Sequence, residues 1–114
     1  MLTLQEVLSD AANAPGFEGA ANVEVNTRSS VGQTPLHWMA VLGDHKAIRL
    51  LLEAGAAIDA QDDQGNTALL QAVLDRQGTA ARELRAAGAD PHLPNHAGLT
   101  AAQAAMAFGL PLEP

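Results

Sequence analysis

Apolar residues fall at helical spacing along several short stretches of the chain. In "PLHWMAVLGDHKAIRLLLEAG" (35–55) two apolar segments are separated by Gly43 and closed by Gly55. Ile48, Leu51 and Leu52 make one stripe at i, i+3 and i+4, which predicts a helix over 45–54. The shorter segment before it predicts a helix over 35–42, with Thr34 as N-cap and Pro35 at the first helical position, where a missing N–H costs nothing. Gly43 and Gly55 end these helices by admitting left-handed turns. The same reasoning gives helices near 67–75 and 78–87, stopped by Gly88, and one near 100–108, stopped by Gly109. "TLQEVLSDAAN" also has helical spacing through Leu4, Val7, Leu8 and Ala11, and is expected to cover the first face of whatever follows. Between the helices lie turn-rich segments such as "AAIDAQDDQGN".

These elements repeat. A shift of 33 residues superimposes Gly32, Gly65 and Gly98, and likewise Thr34, Thr67 and Thr100. It also places Leu36 on Leu69, Leu51 on Leu84 and "EAGAAID" on "AAGADPH". So many coincidences at one offset, concentrated on Gly and Thr, indicate a structural repeat. The pattern weakens at the ends. Residues 1–21 align poorly, and the last unit stops after one helix. Glu83 and Arg85 stand where the preceding unit has Leu50 and Leu52. They are expected to meet water as the polar face of a terminal unit, which reads as the capping of a short, complete stack.

The stretch "GQTPLHWMAVLGDHKAIRLLLEAGAAIDAQDDQGNTAL", with Thr-Pro-Leu-His inside a 33-residue period, closely resembles the ankyrin repeat, and "AAGADPHLPNHAGLTAAQAA" resembles it more loosely. The resemblance covers about residues 22–109. It implies an all-α solenoid of stacked antiparallel helix pairs, about three repeats with truncated caps, and turn-rich fingers along one edge. The expected division is an N-terminal cap and degenerate repeat (1–31), full repeats at 32–64 and 65–97, and a half repeat at 98–114.

Composition narrows the function. The 114 residues suit one domain, 47 % hydrophobic but only 3 % aromatic, so alanine-rich helix contacts are expected. A net charge of −7 argues against nucleic acid and anionic membranes, and leaves a basic protein partner open. The absence of Cys excludes disulfides, thiolate chemistry and Cys-based zinc sites. No apolar run nears the roughly 20 residues of a membrane span, and "MLTLQEVLSD" has no signal-peptide character, so a cytoplasmic location is expected.

No catalytic constellation is present, and no metal or cofactor is expected. His37 would suit a general base, but its repeat equivalents are Leu70 and Gln103 and no nucleophile is fixed beside it. The resemblance implies a structural role instead, a bond near the Thr cap that tethers neighbouring loops. His92 and His96 are four apart, yet Pro91, Pro94 and Gly98 break the helix that zinc ligation at that spacing needs. Asp59, Asp62 and Asp63 lack the other ligands of a calcium loop and read as a solvated turn. Trp38 is either a hot spot or inner-helix packing, with packing favoured.

The resemblance implies binding of another protein through the concave face. Carried over by position, the finger tips are Ser30, Val31 and Gln33, then Asp63, Gln64 and Asn66, then His96, Ala97 and Leu99. The inner-helix positions are Val41 and Leu42, Leu74 and Asp75, and Ala107 and Phe108. Val41, Leu42, Leu74 and Phe108 would form an apolar patch if exposed, rimmed by Asp62, Asp63 and Asp75. A basic partner, inhibited as by an immunity protein, would fit that rim. The alternatives are a His-dependent metal or hydrolytic role at His37, His92 and His96, and self-association, with a monomer expected over an oligomer.

Overall fold

The computed structural model describes residues 2–13, 17, 24–110 and 112. Among them are six helices and no strand: α1 (Leu4–Ala12), α2 (Pro35–Leu42), α3 (His45–Glu53), α4 (Ala68–Leu74), α5 (Gly78–Ala86) and α6 (Ala101–Phe108). The helices expected from periodicity all form, within a residue or two at their ends.

Except at α5, where Gln77 makes no side-chain cap, the starts have a chemical cause. Thr67 and Thr100 cap α4 and α6, each oxygen accepting the N–H three residues on at 3.1 Å. Asp44 does the same for α3, accepting from Ala47 N–H. At α6 Gln103 returns a bond, its Oε1 accepting the Thr100 N–H at 3.1 Å and closing a capping box. The stops are left-handed residues. Gly43 (φ 73°) ends α2 and Gly109 (φ 68°) ends α6. Their counterpart one repeat after Gly43 is Arg76, at φ 58°, where an L-residue is strained by about 1–2 kcal/mol.

The helices stack in two rows. Inner helices α2, α4 and α6 pack in succession, and the outer helices α3 and α5 pack on each other and on their own inner partners. α1 packs on both α2 and α3, covering the first face. One continuous core runs through the stack, with Leu36, Met39, Ile48, Leu51, Leu69, Leu70 and Leu84 all fully buried. Alanine fills the tight inter-helix positions, including Ala40, Ala72, Ala80 and Ala81.

The polar residues of α5 differ from expectation. Glu83 does not simply face water: its Oε1 accepts from Arg49 Nε at 2.8 Å across the two outer helices, leaving its side chain 24 % exposed. Arg49 in turn holds the Glu83 carboxyl below its ordinary range. Arg85 is half-buried, its Nη1 donating to Ala89 O at 3.4 Å.

Candidate functional site: fingers and inner-helix face

The fingers are built from one chemical device used three times. At the same repeat position stand Ser29, Asp62 and Asn95. The side-chain oxygen of each accepts the N–H groups two and four residues ahead. Ser29 Oγ takes Val31 and Gln33, Asp62 Oδ1 takes Gln64 and Asn66, and Asn95 Oδ1 takes Ala97 and Leu99. The backbone closes the same turns, with Asp62 N–H donating to Asn66 O and Asn95 N–H to Leu99 O.

Neighbouring fingers are then laced together. Asp63 N–H donates to Val31 O at 3.1 Å, and one repeat later His96 N–H donates to Gln64 O at 2.9 Å. Arg28 Nη1 spans from Gly32 O to Gln61 O, both at 2.8 Å. Gln61, one period on, spans from Gly65 O to Pro94 O. Backbones approach so closely that a Cβ on Gly32 would meet Asp63 N at 2.9 Å, and one on Gly65 would meet His96 N at 2.9 Å. Gly98, on the third finger, has no atom that near.

His37 sits inside this lacing, buried. Its Nδ1 accepts the Thr34 N–H at 3.1 Å, and its Nε2 lies 2.8 Å from Asn66 O. A carbonyl only accepts, so Nε2 carries the proton and the ring is the neutral tautomer. Burial lowers its pKa below the ordinary 6.5, against the opposing pull of the Asn66 carbonyl and the Asp62 charge. With both nitrogens engaged, no lone pair is left to take a substrate proton or bind a metal.

The expected site residues separate into two sets. Ser30, Val31, Asp63, Gln64, His96 and Ala97 are exposed on the fingers, with Gln33 half-buried. Asn66 is not a free tip position. It is 7 % exposed, because its backbone and side chain are spent on Asp62, His37 and Asn95, the last through Asn95 Nδ2 to its Oδ1 at 2.9 Å. Leu99 is half-buried against the core. Asp62 is buried as the acceptor of its own turn, and so does not rim a patch.

On the inner helices, Leu42 is 54 % exposed, Leu74 36 % and Phe108 40 %. They stand at the C-terminal ends of three successively packed helices. Val41 is half-buried, its carbonyl accepting from Gln77 Nε2 at 3.0 Å. Asp75 is exposed and its Oδ2 accepts from Gln71 Nε2 at 2.9 Å; Ala107 is exposed. Trp38, one turn before Leu42, packs partly on the core. Sequence reasoning missed Arg76, whose guanidinium lies 4.6 Å from the Phe108 ring centroid. Its signal was the loss of glycine at the position of Gly43 and Gly109. A cavity of about 230 Å³ lies between the first two fingers, lined by Val31, Gln33, Asp63 and Gln64 with Gln71 of α4 at its edge.

Elsewhere the chemistry is sparse. His92 and His96 are exposed in turns, their backbone N–H groups bound to Asp90 Oδ1 and Gln64 O. Among the described residues no group of three His, Cys, Asp or Glu is placed to hold a metal ion. None of the described helices is long and apolar enough to cross a membrane.

Residues 11–95 match the family model for ankyrin repeats, in three copies. The chain is 37 % identical over 98 residues to rabankyrin-5 of Homo sapiens, a match covering 84 % of this chain and 8 % of that protein. It is 47 % identical over 49 residues to the palmitoyltransferase ZDHHC17 of Homo sapiens, covering 42 % of this chain and 8 % of the enzyme. It is 38 % identical over 80 residues to the transient receptor potential cation channel subfamily V member 5 of Oryctolagus cuniculus, covering 60 % and 11 %. The chain thus spans only a small fraction of each of these relatives. Stacked helix pairs, laced fingers and the matched repeats together place it: the chain belongs to the ankyrin-repeat family, whose repeats are protein–protein interaction modules.

Proposed function

We propose that this chain binds a partner protein on its concave side, with Leu42, Leu74 and Phe108 as the apolar centre and Val31, Gln33, Asp63 and Gln64 as the polar finger side. The observation that carries this reading is the exposure of those three large apolar side chains at the C-terminal ends of three successively packed inner helices. Exposed apolar groups that line up across packed elements mark contact surfaces. Arg76 supports it. An L-residue is kept in a strained conformation where glycine serves in the other two repeats, and its guanidinium stacks on Phe108.

The partner surface that fits has an apolar centre and a basic group reaching Asp63 and Asp75, while Arg76 favours an acidic or aromatic group at the Phe108 end. Ser30, His96 and Leu99 lie at the edges of this footprint, and Asn66 serves it only by holding the finger in place. The units of the stack in this reading are 1–31, 32–64, 65–97 and 98–114.

The test is affinity capture from source-cell lysate with wild type beside the Leu42→Glu/Leu74→Glu variant, whose fold is checked by thermal unfolding. A partner held by wild type and lost by the variant supports the concave face. A partner held equally by both overturns it.

A further inference from the structure

Two clefts of one design lie side by side between the fingers. The first, between fingers one and two, holds about 230 Å³ and has Val31, Gln33, Asp62, Asp63 and Gln71 on its walls. The second, between fingers two and three, holds about 400 Å³, with Asp63 and Gln64 from one finger and Asn95, His96 and Ala97 from the next. In the repeat register Asn95 replaces Asp62, His96 replaces Asp63, and the buried Ala104 replaces Gln71. One backbone frame thus carries two carboxylates at positions where the next unit has an amide and an imidazole. Asp63 is shared, and Asp62 belongs to the first cleft alone.

Both carboxylates keep an oxygen without a partner. Asp62 is 9 % exposed, and its Oδ1 takes the Gln64 and Asn66 N–H groups. Among the described residues nothing donates to its Oδ2, and nothing donates to the Asp63 carboxylate. A Cβ on Gly32 would collide with Asp63 Oδ1, so that carboxylate leans across the first finger. Arg28, the cation beside that finger, is engaged by Gly32 O and Gln61 O, and among the described residues the ion pair is Arg49 with Glu83. A carboxylate withdrawn from water with one oxygen unpaired is unfavourable, and an incoming cation offsets that cost.

The other walls say which cation. Gln71 Nε2 donates to Asp75 Oδ2 at 2.9 Å, which leaves Gln71 Oε1 as an acceptor at the cleft. The Gln33 side-chain amide is likewise unengaged among the described residues. Val31 adds an apolar wall. No group of three His, Cys, Asp or Glu among the described residues is placed to hold a metal ion. Carboxylate and amide oxygens beside one apolar wall suit a cation with several N–H donors on an apolar stem. Guanidinium has five donors in one plane and is weakly hydrated, whereas an ammonium is a compact, strongly hydrated point charge.

We propose that the cleft between the first two fingers seats one arginine side chain of the partner protein. Asp62 and Asp63 neutralise its guanidinium, Gln33 and Gln71 accept its remaining N–H groups, and Val31 packs on its stem. This rests on the concave-face reading for the partner being a protein, and it names the side chain by which that partner is selected. The second cleft, built on the same frame without Asp62, does not discriminate in this way.

The probe is the blocked peptide acetyl-Gly-Arg-Gly-amide, titrated into the full chain at constant ionic strength and followed by amide NMR. Its controls carry lysine, or citrulline, which keeps the shape of arginine without the charge. One charge-assisted contact predicts a dissociation constant on the order of 10 mM. Saturable shifts at the Asp63 and Gln64 backbone and at the Gln33 and Gln71 side-chain amides support the proposal. The citrulline peptide should bind about tenfold more weakly, and the lysine peptide about threefold. Asp62→Asn keeps the turn, as Asn95 does, so it should leave the urea midpoint in place and weaken the arginine peptide about fivefold. Asp63→Asn, on the surface, should weaken it about threefold. Citrulline or lysine bound as tightly as arginine overturns the proposal. So does an Asp62→Asn chain that binds like wild type, or equal shifts around Asn95 and His96. The two readings fail separately. A series without discrimination removes the arginine seat even where the Leu42→Glu/Leu74→Glu variant loses its partner, and a discriminating series keeps the seat even where that variant retains it.

Discussion

His37 joins two repeats only as a neutral ring. Its Nδ1 must accept from Thr34 N–H while its Nε2 donates to Asn66 O. Protonation turns Nδ1 into a donor facing a donor. Burial lowers the folded pKa below 6.5, so the unfolded chain takes up the proton at a pH where the fold resists it. The stability tied to His37 is therefore complete above about 6.5 and lost as pH falls through that value toward the folded pKa. Gln103 shows what a replacement can do, since its amide closes the same box on Thr100 without titrating. His37→Gln should keep the cap, lose the bond to Asn66, and cost about 1–2 kcal/mol at pH 7.5. Urea unfolding between pH 7.5 and 5 should show the gap between wild type and variant narrowing as pH falls. A gap that stays constant would mean the imidazole is not held neutral.

Residue chemistry also explains where sequence reading stopped. Asn66 carries a finger-tip register, and nothing in one sequence says that its oxygen atoms are taken by residues 29 positions away in each direction. Exposure follows from neighbours, and neighbours become visible only once the repeats are stacked. Arg76 was concealed for the opposite reason, since a lone arginine in a loop looks ordinary until its backbone is found at φ 58°.

At the scale of the element, helices and their ends were legible because period, cap and stop are local properties of Thr, Pro and Gly. The finger device was not. Ser29, Asp62 and Asn95 share a role but no side-chain identity, as do Arg28 and Gln61, so an offset comparison based on identical letters passes over them. Their shared function is hydrogen-bond geometry, which predicts tolerance by chemistry. Asp62→Asn should be nearly neutral, because Asn95 already performs that task. Asp62→Ala should cost about 2 kcal/mol by leaving the Gln64 and Asn66 N–H groups without their acceptor, read as a drop in urea midpoint.

The glycines of the fingers test the lacing itself. Gly32, Gly65 and Gly98 all have positive φ, so alanine at any of them incurs about 1–2 kcal/mol of backbone strain. Gly65 bears a second constraint, since a Cβ there meets the His96 and Asn95 backbone at 2.9 and 3.0 Å. Relieving that contact means parting two fingers, which adds about 1–3 kcal/mol. Gly98 faces open space and bears only the first cost. Gly65→Ala should therefore unfold at distinctly lower urea than Gly98→Ala. Equal midpoints would show that the fingers yield to each other without cost.

For the whole molecule, a stack held by nearest-neighbour contacts has a gradient of stability along its axis. α4 lies at the middle, packed on α2, α5 and α6, with Leu69, Leu70, Ala72 and Val73 all sealed. α6 rests on α4 at the open end, with Met106 and Phe108 uncovered. Opening α6 uncovers its three buried alanines and one face of α4, whereas opening α4 parts the core on three sides. Native-state hydrogen exchange should accordingly find α4 amides exchanging only through global unfolding, and α6 amides exchanging about 10- to 100-fold faster through local fraying, a gap of roughly 1.4–2.7 kcal/mol. Loss of the His37 bond should lower protection across α2 and α4 and leave the faster α6 rates unchanged, since that bond joins the first two fingers and α6 opens without it. If α6 exchanged as slowly as α4, the repeats would be opening as one unit, and the terminal helix would owe its stability to the stack as a whole rather than to the neighbour it touches.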